Sequence, residues 1–235
     1  MLTITNLSKT YKNGKKAVDN ISLEVKSGDI YGFIGHNGAG KSTTIKAIVG
    51  VHDFDIGEIL IDGHSVRKEP VACKQVTAYI PDNPDLYEHL TGISYLNFIA
   101  DIFGVSSSLR KERINKYADA FEITDSLPDV ISSYSHGMKQ KLAMISALLH
   151  EPKLLVLDEP FVGLDPKASI LLRQFMKELC DKGSAIFFST HVLEVAQKFC
   201  NKVAIIREGK LICSGTMESI TADKSLEDVF MEGVK

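Results

Sequence analysis

The sequence has few cysteines, and their spacing matches no common ligand pattern. There are four in 235 residues, and no two are spaced as C-x-x-C. They are Cys73, Cys180, Cys200 and Cys213. Disulfide frameworks and structural zinc sites depend on paired or closely spaced cysteines, so this sequence favours neither. We expect all four to be reduced and to pack as small apolar side chains.

Long apolar runs and a secretory leader are also missing. No stretch approaches the roughly 18 consecutive apolar residues that mark a transmembrane helix. Residues 1–4 do not begin a charged segment followed by an apolar one. The formal net charge of -3 leaves no basic excess, which disfavours a nucleic-acid partner. With ample length for a buried core, these absences predict a soluble cytoplasmic α/β protein.

One glycine-rich stretch dominates what is present. Residues 35–43 fit the pattern G-x-x-x-x-G-K-[ST], between a strand-like apolar run at 29–34 and a helical pattern at 43–49. Glycines let successive N–H groups point inward around an anion, and a helix N-terminus favours phosphate. Lys41 can reach the outer phosphates, and the Ser42 hydroxyl suits Mg²⁺. A plain turn before an ordinary helix does not require this Lys-Ser pair, so the stretch predicts a nucleoside triphosphate site.

The rest of the pattern predicts a single α/β domain. Residues 1–85 and 150–235 carry most of the strand patterns, and residues 86–149 are mainly helical. Alternation, a buried apolar run or a turn dipeptide marks each strand. The predicted strands are 2–7, 21–27, 29–34, 57–63, 154–157, 185–188, 203–207 and 210–214. We expect a P-loop NTPase core with a mainly parallel sheet, a flanking antiparallel β-subdomain and an inserted helical subdomain.

Two apolar faces and one turn are predicted within the helical segment. The first face comprises Leu96, Ile99, Ile102 and Phe103. The second comprises Ile114, Tyr117, Ala118 and Phe121. Residues 106–108, all serine, are expected to form the turn and helix cap between the two helices. A third helix is predicted after residues 135–137, and it runs to about residue 149.

Two acids end a buried strand and need a chemical reason. Asp158 and Glu159 follow the apolar run 154–157, and charge is costly in a dry interior. The carboxyl ends of parallel strands open onto a ligand crevice, where the glycine-rich loop also lies. We expect Asp158 to hold Mg²⁺, directly or through water, and Glu159 to orient or deprotonate a water beside the γ-phosphate. The alternative, a solvated pair at a strand end, is disfavoured by the upstream loop.

Two further residues have less decisive contexts. His191 lies in a Ser-Thr-His turn after strand 185–188, where a histidine is more often part of a helix cap than a catalyst. Because that strand should end at the same crevice, we expect His191 to lie within reach of the γ-phosphate. Tyr11 stands in the first loop, and a half-buried loop aromatic is as good an interpretation as a nucleotide contact.

Together these motifs resemble the nucleotide-binding subunit of ATP-binding cassette (ABC) transporters. The resemblance covers essentially the whole chain, in the family's order, from residues 35–43 through 134–138, 154–159 and 163–165 to His191. It implies an ATPase that uses ATP and Mg²⁺. It also implies that residues 35–43 form the Walker A loop, and that the catalytic carboxylate follows the Walker B acid.

The resemblance implies a role for each site residue. The catalytic set is Glu159, His191 and Lys41. The nucleotide-binding set, with Tyr11 stacking on adenine, is Tyr11, Gly35, His36, Asn37, Gly38, Ala39, Gly40, Lys41, Ser42, Thr43, Ser135, Gly137 and Asp165. The metal set is Ser42, Asp82 and Asp158.

Two segments depart from the family pattern. Residues 134–138 read Y-S-H-G-M where the family's signature is usually L-S-G-G-Q, and they keep the serine and the second glycine. In the family this signature binds the γ-phosphate held by the opposite subunit, which implies a head-to-tail dimer that closes over two ATP. Asp82 stands where the family usually has glutamine. Because aspartate is one methylene shorter, we expect it to reach Mg²⁺ through a water.

Two short segments are similar to one branch of the family. Residues 137–142 and 225–230 resemble bacterial exporters with separate membrane subunits, and within that branch the Ecs-type ATPases. The likeness implies a homodimer, or a pair with another ABC subunit, that is peripheral on the inner face of the cell membrane. It would bind integral membrane permease subunits and couple ATP-driven dimer closure to export. No nucleic acid is implied.

Two other functions deserve comparison with transport. A soluble ABC ATPase that acts on ribosomes or DNA usually carries two cassettes or a long coiled-coil insertion, and this sequence has neither. A nucleotide-dependent regulatory module without turnover would not need the intact set Lys41, Asp158, Glu159 and His191. We therefore favour a transport ATPase.

Overall fold

Two β-sheets organise the chain in this computed structural model, which describes residues 1–232. The strands are β1 (Leu2–Thr10), β2 (Lys16–Val25), β3 (Ile30–Ile34), β4 (Ile56–Ile61), β5 (His64–Ser65), β6 (Thr77–Ile80), β7 (Leu154–Asp158), β8 (Ala185–Thr190), β9 (Lys202–Arg207) and β10 (Lys210–Thr216). The larger sheet has six strands in the order β10-β9-β3-β8-β7-β6, and only the β10–β9 pair is antiparallel. The smaller, β2-β1-β4-β5, is antiparallel throughout. Both predicted sheet types are confirmed.

The helices lie mostly between β6 and β8 and around the larger sheet. They are α1 (Lys41–Ile48), α2 (Pro70–Gln75), α3 (Gly92–Ile102), α4 (Ser107–Ala120), α5 (His136–Leu148), α6 (Pro166–Asp181), α7 (Leu193–Phe199), α8 (Met217–Ile220) and α9 (Leu226–Glu232). Short 3-10 turns occur at Thr124–Ser126 and Ile131–Ser133. No described helix has both the length and the apolar character needed to cross a bilayer.

The parallel strands are buried on both faces, which explains their continuous apolar sequences. All residues of β7 and β8 are buried. One face packs with the smaller sheet and α1, where Phe33 and Phe187 are fully buried. The other packs with the helices, where Leu157 and Phe188 are fully buried. The sheet therefore joins two apolar cores and leaves its strand ends for polar residues.

The start of β2 was predicted too late. The alternating pattern placed this strand at 21–27, whereas it begins at Lys16 and ends at Val25. Irregular register in the β1–β2 ladder shifts the facing residues along the pair. Asn20, within β2, also has a left-handed φ of 53°. Such irregularities break the two-residue alternation on which the prediction depended. The short strands β5 and β6 and the helices α2, α8 and α9 were not predicted.

In the helical segment one predicted face residue was wrong, and one predicted cap is correct in position but not in its hydrogen bond. Ile102 is 51% exposed, although it was assigned to the apolar face of Leu96. At 3.6 residues per turn, a separation of six residues turns the side chain by about 120° away from Leu96. Ser106 occupies the N-cap position of α4, but its side chain makes no capping hydrogen bond. The four-residue set Ile114, Tyr117, Ala118 and Phe121 is buried as predicted.

A histidine that the sequence analysis did not single out lies between α5 and β7. The ring of His150 stacks on Phe103 with centroids 3.7 Å apart and planes 9° from parallel. Burial lowers the pKa of His150 to about 4, opposed by a backbone contact with Thr77 and assisted by the Arg113 guanidinium. The neutral form is therefore the one that fits the folded protein.

We expect His150 to make folding stability depend on pH between its unfolded pKa of 6.5 and about 4. In that window the unfolded chain binds the extra proton, so the free energy of unfolding falls as the pH falls. The slope from this residue is about 1.4 kcal/mol per pH unit at most. Urea unfolding of wild type and His150→Phe at several pH values measures it, because phenylalanine keeps the stacked ring but does not titrate. Parallel curves for the two proteins would contradict the assignment.

Candidate nucleotide site

The site lies where three neighbouring parallel strands end. In the sheet β8 runs between β3 and β7, and the register pairs Ile34 with Thr190 and Asp158 with Ser189. The glycine-rich loop leaves β3, and Glu159 and His191 directly follow β7 and β8. This register brings motifs that are far apart in sequence to one edge of the sheet, as expected for an open parallel sheet.

The glycine-rich loop is folded tightly against neighbouring backbone. Gly40 has a φ of 112°, and an added Cβ there would lie 2.4 Å from the Ala17 carbonyl oxygen. At Gly35 an added Cβ would lie 2.5 Å from the Ile206 carbonyl oxygen. Helix α1 begins directly after Gly40 with no side-chain cap. Its first N–H groups are therefore suited to an anion.

Lys41 is a buried cation held by the loop and by an acid. Its side chain is 6% exposed, and Nζ donates to the Gly35 carbonyl at 2.7 Å and to the His36 carbonyl at 3.3 Å. Nζ also lies 3.2 Å from Oε1 of Glu159. That oxygen accepts no hydrogen bond of good geometry, so its attraction to Lys41 is mainly electrostatic. Phosphate oxygens would compete for the same ammonium group.

Ser189 holds the two acids at the end of β7, a role that the sequence analysis missed. Its hydroxyl donates to Oδ1 of Asp158 at 2.6 Å and accepts from the backbone N–H of Glu159 at 3.0 Å. Asp158 is 4% exposed, so this bond offsets part of the cost of burying the carboxylate. The only sequence signal for it is a polar residue at the end of a buried strand.

Glu159 combines an unusual backbone with a contact to His191. Its φ of 49° lies in the left-handed region, which costs a non-glycine residue about 1–2 kcal/mol. Its Oε2 accepts from the backbone N–H of His191 at 3.3 Å and lies 3.0 Å from Nδ1 of the same residue. Such strain at a strand end is typical of functional positions. His191 therefore lies at the same sheet edge as the two acids, and its expected reach to a γ-phosphate stays a prediction.

A cleft of about 250 Å³ is lined by Lys41, Asp158 and Glu159, whereas Ser189 and His191 are not part of its lining. Most predicted loop residues line it, whereas Gly35 and Ala39 are buried beneath the loop. The lining comprises Tyr11, Lys15, Ala17, His36, Asn37, Gly38, Gly40, Lys41, Ser42, Thr43, Asp82, Asp158 and Glu159. Lys15 and Ala17 were not predicted, because they lie in the first loop and β2 without any motif.

Tyr11 lies on the wall of the cleft with its side chain exposed. Its hydroxyl is 3.1 Å from Oγ1 of Thr43, and its ring meets His52 edge-on at a centroid distance of 6.5 Å. The side chain is 37% exposed, so a large part of the ring is accessible to a ligand. The structure therefore allows both interpretations of this residue, a loop aromatic and a nucleotide contact.

The three predicted metal ligands lie in the same cleft. Ser42, Asp82 and Asp158 all line it and all supply oxygen atoms, the donors that Mg²⁺ prefers. Among residues 1–232, no three histidine, cysteine or acidic side chains cluster closely enough to hold a metal ion by themselves. Mg²⁺ in nucleotide sites uses one or two carboxylates and completes its shell with phosphates and waters, and Asp82 and Asp158 could supply those carboxylates.

Ser135, Gly137 and Asp165 do not line this cleft in the chain's own structure. Ser135 caps α5 by accepting from the Met138 N–H at 3.3 Å. Asp165 caps α6 by accepting from the Ala168 N–H at 2.7 Å, and it lies 3.1 Å from Nζ of Lys141. The Ala168 hydrogen bond and then the Lys141 charge lower the pKa of Asp165. None of the three therefore meets the cleft within the chain's own structure.

Gly137 has no internal reason to be glycine. It lies in the first turn of α5 without a left-handed φ, and an added Cβ would meet no described atom within 4 Å. Gly40, by contrast, needs both its φ and the absence of a Cβ. The surface at Gly137 is therefore open to close approach from outside the chain.

The fold and loop define a P-loop nucleoside triphosphatase, and the comparisons give its family. The ABC transporter family model matches residues 18–162. The chain is 33% identical to the ABC-type transporter ATP-binding protein EcsA of Bacillus subtilis, over all of this chain and 97% of that protein. A solved ATP-binding subunit of an ABC transporter is 34% identical, with a TM-score of 0.96 and full coverage of both chains. The chain belongs to the ABC transporter family and is an ATP-binding, ATP-hydrolysing subunit of it.

A second solved structure shares the fold with lower sequence identity. It is the dimer of an ATP-binding cassette in a post-hydrolysis state with ADP and Pi. The identity is 23% and the TM-score is 0.83, over 92% of this chain and 99% of that one. At this identity the likeness concerns the fold alone.

We expect Gly137→Ala to leave the fold intact while preventing ATP-dependent association. Alanine loses less backbone entropy than glycine when a helix forms, which favours the helix by roughly 0.5–1 kcal/mol. The free energy of unfolding should therefore not fall. The methyl group would block close approach of a nucleotide held by another subunit. Gel filtration with ATP in a Glu159→Gln background, together with urea unfolding, measures both effects. Gly104→Ala is the control: its φ of 66° predicts lower stability with normal association. Normal association of Gly137→Ala would contradict the prediction.

Proposed function

We propose that this ATPase closes as a head-to-tail dimer over two ATP and thereby drives export through separate integral membrane permease subunits. It would lie on the cytoplasmic face of the membrane, as a homodimer or paired with another ABC subunit. The observation that carries the proposal is the meeting of Lys41, Asp158 and Glu159 in one cleft, with His191 in contact with Glu159. A module that only bound nucleotide would not require a strained acid beside a histidine at the cleft.

Binding in this proposal begins at the glycine-rich loop. The N–H groups at the start of α1 and the Lys41 ammonium would hold the phosphates, which replace the contacts of Lys41 with its own loop. Tyr11 would stack on the adenine from the cleft wall. Ser42 and Asp158 would hold Mg²⁺, and Asp82 would reach it through water because its side chain is short. The bound Mg²⁺ would neutralise charge on the phosphates.

Hydrolysis in this proposal depends on Glu159 and His191. Glu159 would orient or deprotonate the attacking water with Oε1, the oxygen that accepts no hydrogen bond in the structure. Its other oxygen contacts the His191 N–H and lies beside Nδ1, so His191 would hold the carboxylate in position. The left-handed backbone of Glu159 directs the side chain from the strand end, and Ser189 fixes that backbone.

Dimer closure would bring the remaining predicted residues to the nucleotide. Ser135 and Gly137 stand at the start of α5, a helix N-terminus suited to phosphate, and the space beside Gly137 is open. Asp165, at the start of α6, would contact the partner subunit beside its bound nucleotide. The dimeric cassette with ADP and Pi that shares this fold supports such an arrangement.

We expect Glu159→Gln to hydrolyse ATP poorly and to accumulate as an ATP-bound dimer. Glutamine keeps the shape but removes the base, and it relieves carboxylate repulsion at the γ-phosphate. Phosphate release and gel filtration with ATP measure the two effects. Glu194→Gln is the matched control, because that side chain on α7 is 84% exposed. Normal turnover in Glu159→Gln, or a monomer at saturating ATP, would contradict the mechanism.

An exposed aromatic patch is the surface we propose for the permease. Tyr87, Phe98 and Ile102 are 53%, 41% and 51% exposed, and the Tyr87 and Phe98 rings are 5.6 Å apart. Phe98 and Ile102 are neighbours on one face of α3 because they are four residues apart. Exposed apolar groups that cluster in this way often mark an interface.

We expect Tyr87→Ala to weaken recovery of the permease complex while leaving the ATPase activity of the isolated subunit unchanged. The substitution removes a ring from the exposed patch but no contact of the cleft. Co-purification from membranes with identification of the partner chains measures recovery. Ile56→Ala is the control, because Ile56 is a 63% exposed apolar residue on the smaller sheet. Full recovery with a lowered melting temperature would assign Tyr87 to internal packing instead.

A further inference from the structure

The last described helix contacts the glycine-rich loop. The ring of Phe230, on α9, lies 4.5 Å from the His36 ring between centroids, with planes tilted by 53°. Phe230 is only 8% exposed, whereas His36 is exposed and lines the cleft. A residue near the end of the sequence is therefore in contact with the first variable position of the phosphate-binding pattern.

Helix α9 is held independently of that loop. Ser225 and Asp228 form a reciprocal cap: the Asp228 N–H donates to Oγ of Ser225 at 3.1 Å, and the Ser225 N–H donates to Oδ2 of Asp228 at 3.2 Å. Leu226 is fully buried in the core on the helical side of the larger sheet, and α9 packs against α7. The position of Phe230 is thus determined by the core and α7, and its ring provides a fixed surface for His36.

His36 is the residue through which such a contact can act on the loop. Its carbonyl accepts from the Ala39 N–H at 3.1 Å and from Nζ of Lys41 at 3.3 Å. The hydrogen bond that closes the turn and one hydrogen bond of Lys41 therefore share the same acceptor, the His36 carbonyl. Holding the His36 ring restricts the loop before a ligand arrives, and pre-organisation of this kind lowers the cost of binding.

We propose that Phe230 is a positioning residue for the nucleotide site: by packing on His36 it fixes the phosphate-binding loop and thereby sets affinity for nucleotide. This inference rests on the nucleotide site proposed above. Phe230 has no contact with Glu159 or His191 among the ring and polar contacts of the structure's described residues. The contact therefore acts on nucleotide affinity and leaves kcat at saturating ATP unchanged.

The test is a double-mutant cycle between Phe230 and His36, measured as the Kd for ADP by calorimetry. We expect Phe230→Ala to weaken ADP binding by about 2- to 10-fold, the range for loss of one aromatic pair. In the His36→Ala background the same substitution should change the Kd less than about 1.5-fold, because the contact is already gone. The KM for ATP should follow the Kd, with kcat within about twofold of wild type.

Two further variants separate positioning from general packing. Phe230→Leu keeps apolar bulk against α7 but lacks the ring, so its melting temperature should stay close to wild type while ADP binding remains weakened. Met231→Ala, at a 55% exposed neighbour on α9, should leave both unchanged. Equal effects of Phe230→Ala in both backgrounds, or full recovery of affinity in Phe230→Leu, would overturn the proposal.

Lys41→Ala separates failure of this proposal from failure of the site itself. If Lys41→Ala binds ADP as wild type does, the proposed nucleotide site is wrong. If Lys41→Ala weakens binding and Phe230→Ala does not, the site stands and the role of Phe230 is wrong.

Discussion

The structure depends on the parallel pairing of β8 between β3 and β7. This pairing places Ile34 beside Thr190 and Asp158 beside Ser189, so the glycine-rich loop, the two acids and His191 leave the sheet at one edge. A shift of one residue would turn Ser189 to the opposite face and remove its bonds to the acids. The continuous apolar sequences of β7 and β8 hold this register, because both faces of the sheet are covered.

Buried charge is the cost of that arrangement. Lys41 and Asp158 are 6% and 4% exposed, where an unpaired charge would be strongly unfavourable. Lys41 is held by two carbonyls and lies near Glu159, and Asp158 accepts a hydrogen bond from Ser189. Each group therefore keeps a polar partner. Phosphate oxygens can replace the partners of Lys41, and Mg²⁺ can join Ser189 at Asp158. The same contacts that stabilise the folded chain also keep the site ready for a polyanion.

The site is assembled from distant parts of the chain, and its two sides differ in how closely they are packed. Loop residues contact β2 and β9 closely enough that a Cβ at Gly40 or Gly35 would clash with backbone. The aromatic contact between Phe230 and His36 adds support from the last described helix. Gly137 lies in open space by comparison, so its side of the site is completed only by another molecule in the function we propose.

The sequence by itself determined the features whose cause is local. The glycine-rich pattern required a tight loop before a helix, and the apolar runs required covered strands, and the structure contains both. Family membership followed from the same motifs and their order. Only the tertiary structure decided which distant residues meet: Ser189 with the two acids, His150 with Phe103, and Phe230 with His36. These contacts depend on strand register and on packing between elements far apart in the chain, and no local pattern of residues encodes that geometry.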